Sequence, residues 1–239
     1  MLKINAENVN FKDLNDKVRT AGEDVEITGA LGERFIGAGL SDKNLVIKGT
    51  PGNALGAYLN GSVIEVFGNA QDAVGDTMND GKIVIHGNIG DAAGYAMRGG
   101  KIFVKGNAGY RAGIHMKAYK DKIPALIIGG TAGSFLGEYQ AGGVIIVLGL
   151  NSDKNTVGNF PCTGMHGGKM FLRGGCKGVT FPKNVHATAA TKENLDEIYP
   201  YIKEFCAHFN VDESEILNSE FTVITPDSNN PYKQMYVQN

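Results

Sequence analysis

Ile64-Glu65-Val66-Phe67-Gly68-Asn69-Ala70-Gln71-Asp72-Ala73-Val74-Gly75 returns as Ile83-Val84-Ile85-His86-Gly87-Asn88-Ile89-Gly90-Asp91-Ala92-Ala93-Gly94. It returns again as Ile102-Phe103-Val104-Lys105-Gly106-Asn107-Ala108-Gly109-Tyr110-Arg111-Ala112-Gly113, each copy 19 residues after the last. Working outward, Gly49 closes an earlier run of the same kind, and Gly29, Gly130, Gly149 and Gly174 close four more. A fixed period of this size marks a solenoid, in which one short unit stacks on the next and only the stack buries a continuous core.

The runs before the closing glycines are short and rich in β-branched residues, so they are strands. Each coil must return to the same place one strand spacing further on, roughly 4.8 Å, which stacks like positions in parallel columns. The first and third positions of each run share a face. Those columns read Leu45, Ile64, Ile83, Ile102, Leu126, Ile145, Met170 and Ile47, Val66, Ile85, Val104, Ile128, Val147, Leu172, which is the expected core. Ten residues past the closing glycine stand Leu59, Met78, Met97 and Met116, fillers of an irregular corner rather than metal ligands.

Behind each strand the pattern Gly-x-x-Gly-x-x-x-Gly recurs at Gly49, Gly52, Gly56, at Gly87, Gly90, Gly94, at Gly106, Gly109, Gly113 and at Gly130, Gly133, Gly137. Gln71 replaces the middle glycine between Gly68 and Gly75. These are structural turns, placed where φ is positive or where a side chain would strike the coil above. Asn69, Asn88 and Asn107 share one register, as an asparagine ladder along the stack requires. The expected fold is therefore all-β: a single-stranded parallel β-helix of about seven coils over residues 1–188, followed by a helical and extended tail over 189–239. In that tail Leu195, Ile198, Ile202, Phe205 and Phe209 have helical spacing, with an interruption expected at Pro200. Asp212 with Glu215 predicts a capping box for a second, short helix.

Composition narrows the partners. The 239 residues carry a formal charge of −2, from 23 basic and 25 acidic side chains, so neither nucleic acid nor an anionic membrane is an expected partner. The N-terminal residues lack the apolar stretch of a signal peptide, and a cytoplasmic location is expected. Cys162, Cys176 and Cys206 form no metal-type pair, and the histidines show no H-x-x-x-H spacing. The glycine runs contain neither G-x-G-x-x-G nor a P-loop. No catalytic, cofactor-binding or metal-binding residue is expected in this chain.

Two places invite a partner. Insertions of about five residues between Gly113 and Gly130, and about six between Gly149 and Gly174, break the period, and such insertions form loops on one face of a solenoid. Within the second lies Asn159-Phe160-Pro161-Cys162-Thr163-Gly164-Met165-His166, from which Asn159, Phe160, Cys162, Met165 and His166 are candidate interface residues. Separately, the outward second position of each run reads Val46, Glu65, Val84, Phe103, Ile127, Ile146, Phe171. An apolar stripe of that length has to be covered, either by the tail helix near Ile198 and Phe205 or by another subunit, self-association included.

The repeated Gly-x-x-Gly-x-x-x-Gly after Ile-x-Val-x, together with Gly158-Asn159-Phe160-x-x-Gly164-Met165-x-Gly167-Gly168, resembles the GXGXG domain that ends the large subunit of glutamate synthase. The resemblance covers roughly Val25 to Val179, and the tail through Phe221–Pro226 and Asn230–Val237 is similar to versions in which that subunit is split into separate polypeptides. It implies a right-handed β-helix and a non-catalytic scaffold for amidotransferase and synthase subunits. FMN and an iron–sulfur cluster are then expected in the partner, none in this chain. A second family with the same repeat, the stacked glycine-rich subunit of formylmethanofuran dehydrogenase, is similar at Met97-Arg98-Gly99-Gly100-Lys101-Ile102. From another class, an independent carbohydrate-active β-helix enzyme requires carboxylates clustered in neighbouring coils, for which Asp72 and Asp91 are the nearest match.

Overall fold

The structure, a computed structural model, describes residues 1–152 and 155–227. The glycine-closed runs are strands: β2 (Val25–Leu31), β3 (Leu45–Thr50), β4 (Asn60–Phe67), β5 (Asp80–Ile85), β6 (Lys101–Val104), β7 (Ala125–Ile128), β8 (Ala141–Val147) and β9 (Gly167–Arg173). They pair in parallel, each with the next, and β1 (Leu2–Asn5) adds to β2 at the N-terminal edge. The register runs Leu45, Ile64, Ile83, Ile102, Leu126, Ile145, Met170 without a slip. That is the expected core column, and every member is buried. The architecture is a parallel β-solenoid of about seven turns, as the period predicts.

A second wall is built from single bridges, Ala70 to Ile89 to Ala108 to Ala132 to Val157, all parallel. The third wall is a corner with an unusual backbone. Left-handed residues recur at every second position in seven successive coils, from Phe35, Gly37, Gly39 through Ala54, Gly56, Tyr58 to Phe160, Cys162, Gly164. In this alternation the central residue donates its N–H to the coil behind, as Gly56 does to Ile36, and the outer ones donate to the coil ahead, as Tyr58 does to Asp76. Non-glycine residues in this conformation each cost roughly 1–2 kcal/mol. The inter-coil hydrogen bonds of every corner offset that cost, because an unpaired backbone group would otherwise be buried in the stack.

Side-chain ladders reinforce the stack. Asn88 N–H donates to Asn69 Oδ1, Asn107 N–H to Asn88 Oδ1 and Thr131 N–H to Asn107 Oδ1, each at 2.8 Å. The asparagine ladder is present, and these rungs run from backbone N–H to the side-chain oxygen of the coil behind.

Both ends are closed by elements with little repeat character. At the N-terminal end α1 (Phe11–Thr20), capped by Asn10 on Lys12 N–H, buries Leu14 and Val18 on the first coil. At the other end the tail enters the sheet. β11 (Phe221–Pro226) pairs antiparallel with β9, and β10 (Val185–Ala189) pairs antiparallel with β11. The expected division at 188/189 therefore passes through β10, and the last strand of the tail lies inside the order β9-β11-β10.

The tail helix departs from expectation in one respect. α2 (Lys192–Phe209) runs unbroken through Pro200. Pro200 and Asp196, whose carbonyl loses its helical N–H partner, are both exposed, while Ile198, Ile202, Phe205 and Phe209 stay buried. α2 opens with a capping box of Thr191 and Asn194. At the short α3 (Glu213–Leu217) the predicted box reduces to Asp212 accepting from Ser214 N–H. The segment Asn230–Val237 lies outside the described residues.

Candidate functional site

The cover on the outward stripe decides which surface remains free. Ile198, Ile202, Phe205, Cys206 and Phe209 of α2 form one buried cluster with Val84, Phe103, Ile127, Ile146 and Phe171. The chain's own tail covers the stripe from β5 onward. Gly129 stands where other coils carry Lys48 or Lys105, and a Cβ there would lie 2.7 Å from Phe205 Cζ, so its absence makes room for the ring. Glu204 fastens the helix by bonding Lys101 Nζ at 2.5 Å and Lys82 Nζ more closely still. Burial works to raise its pKa, but the two lysines outweigh burial and hold the carboxyl below its ordinary value. Val46 and Glu65, in the earlier coils, stay partly exposed, and there Glu65 Oε1 meets His86 Nε2 at 2.9 Å while His86 stacks on Phe67.

Asp72 and Asp91 both serve the stack. Asp72 Oδ1 accepts from Asp91 N–H at 2.9 Å and Asp91 Oδ1 from Tyr110 N–H at 2.8 Å, so both carboxylates are rungs of a second ladder. The five candidate interface residues divide. Asn159 and Phe160 are exposed and His166 is half-buried, but Cys162 and Met165 are fully buried. Cys162 takes the corner column held by Gly37 through Gly137, and Met165 continues the column of Leu59, Met78, Met97 and Met116. These two are core side chains, a correction to their reading as interface residues. Burial, with Cys176 nearby, pushes the Cys162 thiol up to about 12, and its sulfur partner is Met170 Sδ at 3.6 Å rather than an imidazole. Burial therefore works against the thiolate form that a nucleophilic cysteine requires.

The turn glycines stand where the repeat places them. A Cβ on Gly49, Gly52 or Gly68 would approach a carbonyl of the preceding coil to 2.3, 2.2 and 2.1 Å. On Gly90 and Gly109 it would strike Asp72 and Asp91, and on Gly87, Gly106 and Gly130 the asparagine ladder. Gly56, Gly75, Gly94, Gly113 and Gly137 have φ between +63° and +71° and face core side chains. A Cβ on Gly133 would meet the Gly109 backbone at 2.8 Å.

What the corner presents to solvent is the feature that sequence reasoning misses. Phe35, Tyr58, Tyr95, Tyr110, Tyr139 and Phe160 are all exposed by 40% or more; five lie in the corner segments and Tyr110 directly precedes one. Tyr95, His115 and Tyr139 form a row, with the His115 and Tyr139 rings stacked at 5.1 Å. Phe135 packs on Phe160 at 5.3 Å, with Arg111 over Phe135 and bonded to Glu138. The signal is present as Phe and Tyr two residues to either side of the central corner position, as at Phe35, Tyr58, Tyr139 and Phe160. A row of Tyr, Phe and Arg on a rigid wall is the composition of a protein interface rather than of ordinary surface. Among the described residues no group of three or more His, Cys, Asp or Glu side chains is placed to hold a metal, and no helix is long and apolar enough to cross a membrane.

The fold and this wall define a glycine-corner β-solenoid, and comparison with known proteins gives its family. Residues 4–227 match the GXGXG motif family, and the chain belongs to that family. It is 43% identical to an uncharacterized protein of Methanocaldococcus jannaschii over 248 aligned positions, covering 98% of this chain and 95% of that protein. Among solved structures it is similar to a chain of the formyltransferase/hydrolase complex from Methylorubrum extorquens, crystallised with methylofuran. The TM-score is 0.64 at 19% identity, covering 95% of this chain and 91% of that one. At that identity the likeness is one of fold.

Proposed function

We propose that the chain is a non-catalytic structural subunit of a multisubunit enzyme, and specifically of a split glutamate synthase. In that role it holds an amidotransferase and an FMN- and iron–sulfur-bearing synthase polypeptide in fixed relation. The observation that carries the structural role is the exposed aromatic corner wall, mounted on coils locked by backbone and side-chain ladders. Such a wall offers hot-spot side chains at fixed spacing with little entropy left to lose on docking. Asp72 and Asp91 are rungs of the stack and Cys162 is a core side chain, in keeping with this role. The choice of glutamate synthase rests on the Gly158-Asn159-Phe160-x-x-Gly164-Met165-x-Gly167-Gly168 segment.

A second reading has its own support. The likeness to a chain of a formyltransferase/hydrolase complex spans nearly the whole molecule, which favours a component akin to the glycine-rich subunit of formylmethanofuran dehydrogenase. One experiment separates the two: purification of the tagged chain from its native cells, with identification of what is retained. Amidotransferase and FMN-binding polypeptides, with glutamine-dependent glutamate formation, are the expected result. Formyl-transfer polypeptides would move the assignment to the second reading, and an active lone chain would overturn both.

A further inference from the structure

The first insertion builds a groove that the scaffold does not need. Between Met116 and Ala125 the chain leaves the 19-residue period and folds into a tight turn, with Tyr119 and Lys122 exchanging backbone hydrogen bonds at 3.1 Å each way. The turn is fastened rather than loose. Lys122 Nζ bonds Asp80 at 2.7 Å, which with the Gly81 N–H holds the Asp80 carboxyl below its ordinary range. The Lys122 stem lies over Gly99, where a Cβ would approach it to 3.1 Å, and Ala118 N sits 2.5 Å from the Cβ position of Gly142. A loop fixed in this way is preorganised for contact.

Two adjoining cavities lie along it, of about 390 and 410 Å³, with Arg98 and Tyr119 common to both. Tyr58 lines the first and Lys117 the second. Arg98, Lys117 and Lys120 are exposed, and none has an ion-pair partner among the described residues; Lys120 lies over the Tyr119 ring. No Asp or Glu lines either cavity; Asp80 beside them is already paired to Lys122. The chain as a whole is net acidic, at −2, so this concentration of free cations is local. Exposed Tyr58, Tyr119 and Ile123 add apolar surface beside the charges. A single small anion would fill one cavity and leave the second, with its tyrosines, unused.

Resting on the scaffold reading, we infer that this groove docks an acidic, extended segment of a partner subunit. Its carboxylates meet Arg98 and Lys117, and its backbone lies across Tyr58 and Tyr119. Charge complementarity of this kind fixes register and partner choice.

The test uses the full chain in its native assembly. A photo-crosslinking amino acid replaces Tyr58 or Lys120, and the crosslinked peptides are sequenced. In parallel, R98E/K117E is compared with R98K/K117R for partner retained per chain, with thermal unfolding as the control for folding. The expected result is crosslinks within an Asp/Glu-rich stretch of a partner, and at least a tenfold loss of partner in R98E/K117E that R98K/K117R does not show. Crosslinks to a second copy of this chain, to nucleic acid or to a neutral or basic segment overturn the inference. So does undiminished retention by R98E/K117E while the wild-type assembly forms. A wild-type chain that retains no partner overturns the scaffold reading, and this inference with it.

Discussion

At the scale of single residues, two glycines separate backbone cost from steric cost. Gly39 has φ +70° and nothing within 4 Å of where a Cβ would stand, whereas Gly49 has φ +137° and Ala30 O at 2.3 Å from that position. Gly39→Ala should cost roughly 1–2 kcal/mol, and Gly49→Ala more than about 4 kcal/mol, because the atom it strikes is backbone of the preceding coil. Urea unfolding of the two variants checks the ranking; equal midpoints would mean that the coils are not stacked this closely. Gln140 is the residue the repeat misdescribes. It follows Met116 in the corner column, fully buried, with Nε2 donating to Gly142 O and Gly143 O at 3.2 Å and Oε1 unpartnered among the described residues. Gln140→Glu would bury a carboxylate there and should destabilise by about 3 kcal/mol or more, increasingly as pH rises above the carboxyl range. Cys162 misleads for a related reason. Its place in the second insertion suggests a partner contact, but its side chain fills space against Met170 in a corner column otherwise held by glycine.

Among the elements, α2 carries the largest single consequence. Its Phe205 fills the hole over Gly129, and Phe205→Ala should cost about 3–5 kcal/mol and expose the stripe of Phe103, Ile127 and Ile146, read out as dye binding to apolar surface. The helix also carries an acid-sensitive seam. His208 is held below its ordinary value of 6.5, first by burial and then by the Lys82 charge, partly opposed by Glu204 and Glu65. A histidine with a depressed folded pKa contributes stability that is full above 6.5 and is lost as pH falls through the folded value. Glu204, depressed below 4.5, adds a second loss at lower pH. His208→Leu should remove the upper limb of acid destabilisation and leave the lower one, measured as unfolding midpoint against pH; an unchanged profile would show that α2 does not sense pH through His208. The stripe and the helix are both legible in the sequence, because each is an amphipathic pattern with one unsatisfied face. Neither α1 nor β11 is legible there. α1 offers only Leu14 and Val18 as buried positions, and the antiparallel return of β11 to β9 is a long-range pairing that leaves no local mark.

Over the whole molecule, the solenoid is readable because a stack repeats its constraint. A column of seven like residues is seen even when one member deviates. The left-handed corner is readable only at its centre, where glycine marks it; the flanking positions carry Phe, Tyr, Ala and Arg, so the aromatic wall emerges only when the coils are superposed in space. The exposed aromatic wall and the fastened insertion groove share Tyr58, while the apolar stripe is covered by α2. On the proposed function the wall and groove join different enzyme subunits. Native mass spectrometry of the assembly purified through this chain tests it most directly. The predicted result is a single species containing this chain together with at least two other polypeptides in fixed ratio. A spectrum showing only this chain, alone or as copies of itself, would contradict it.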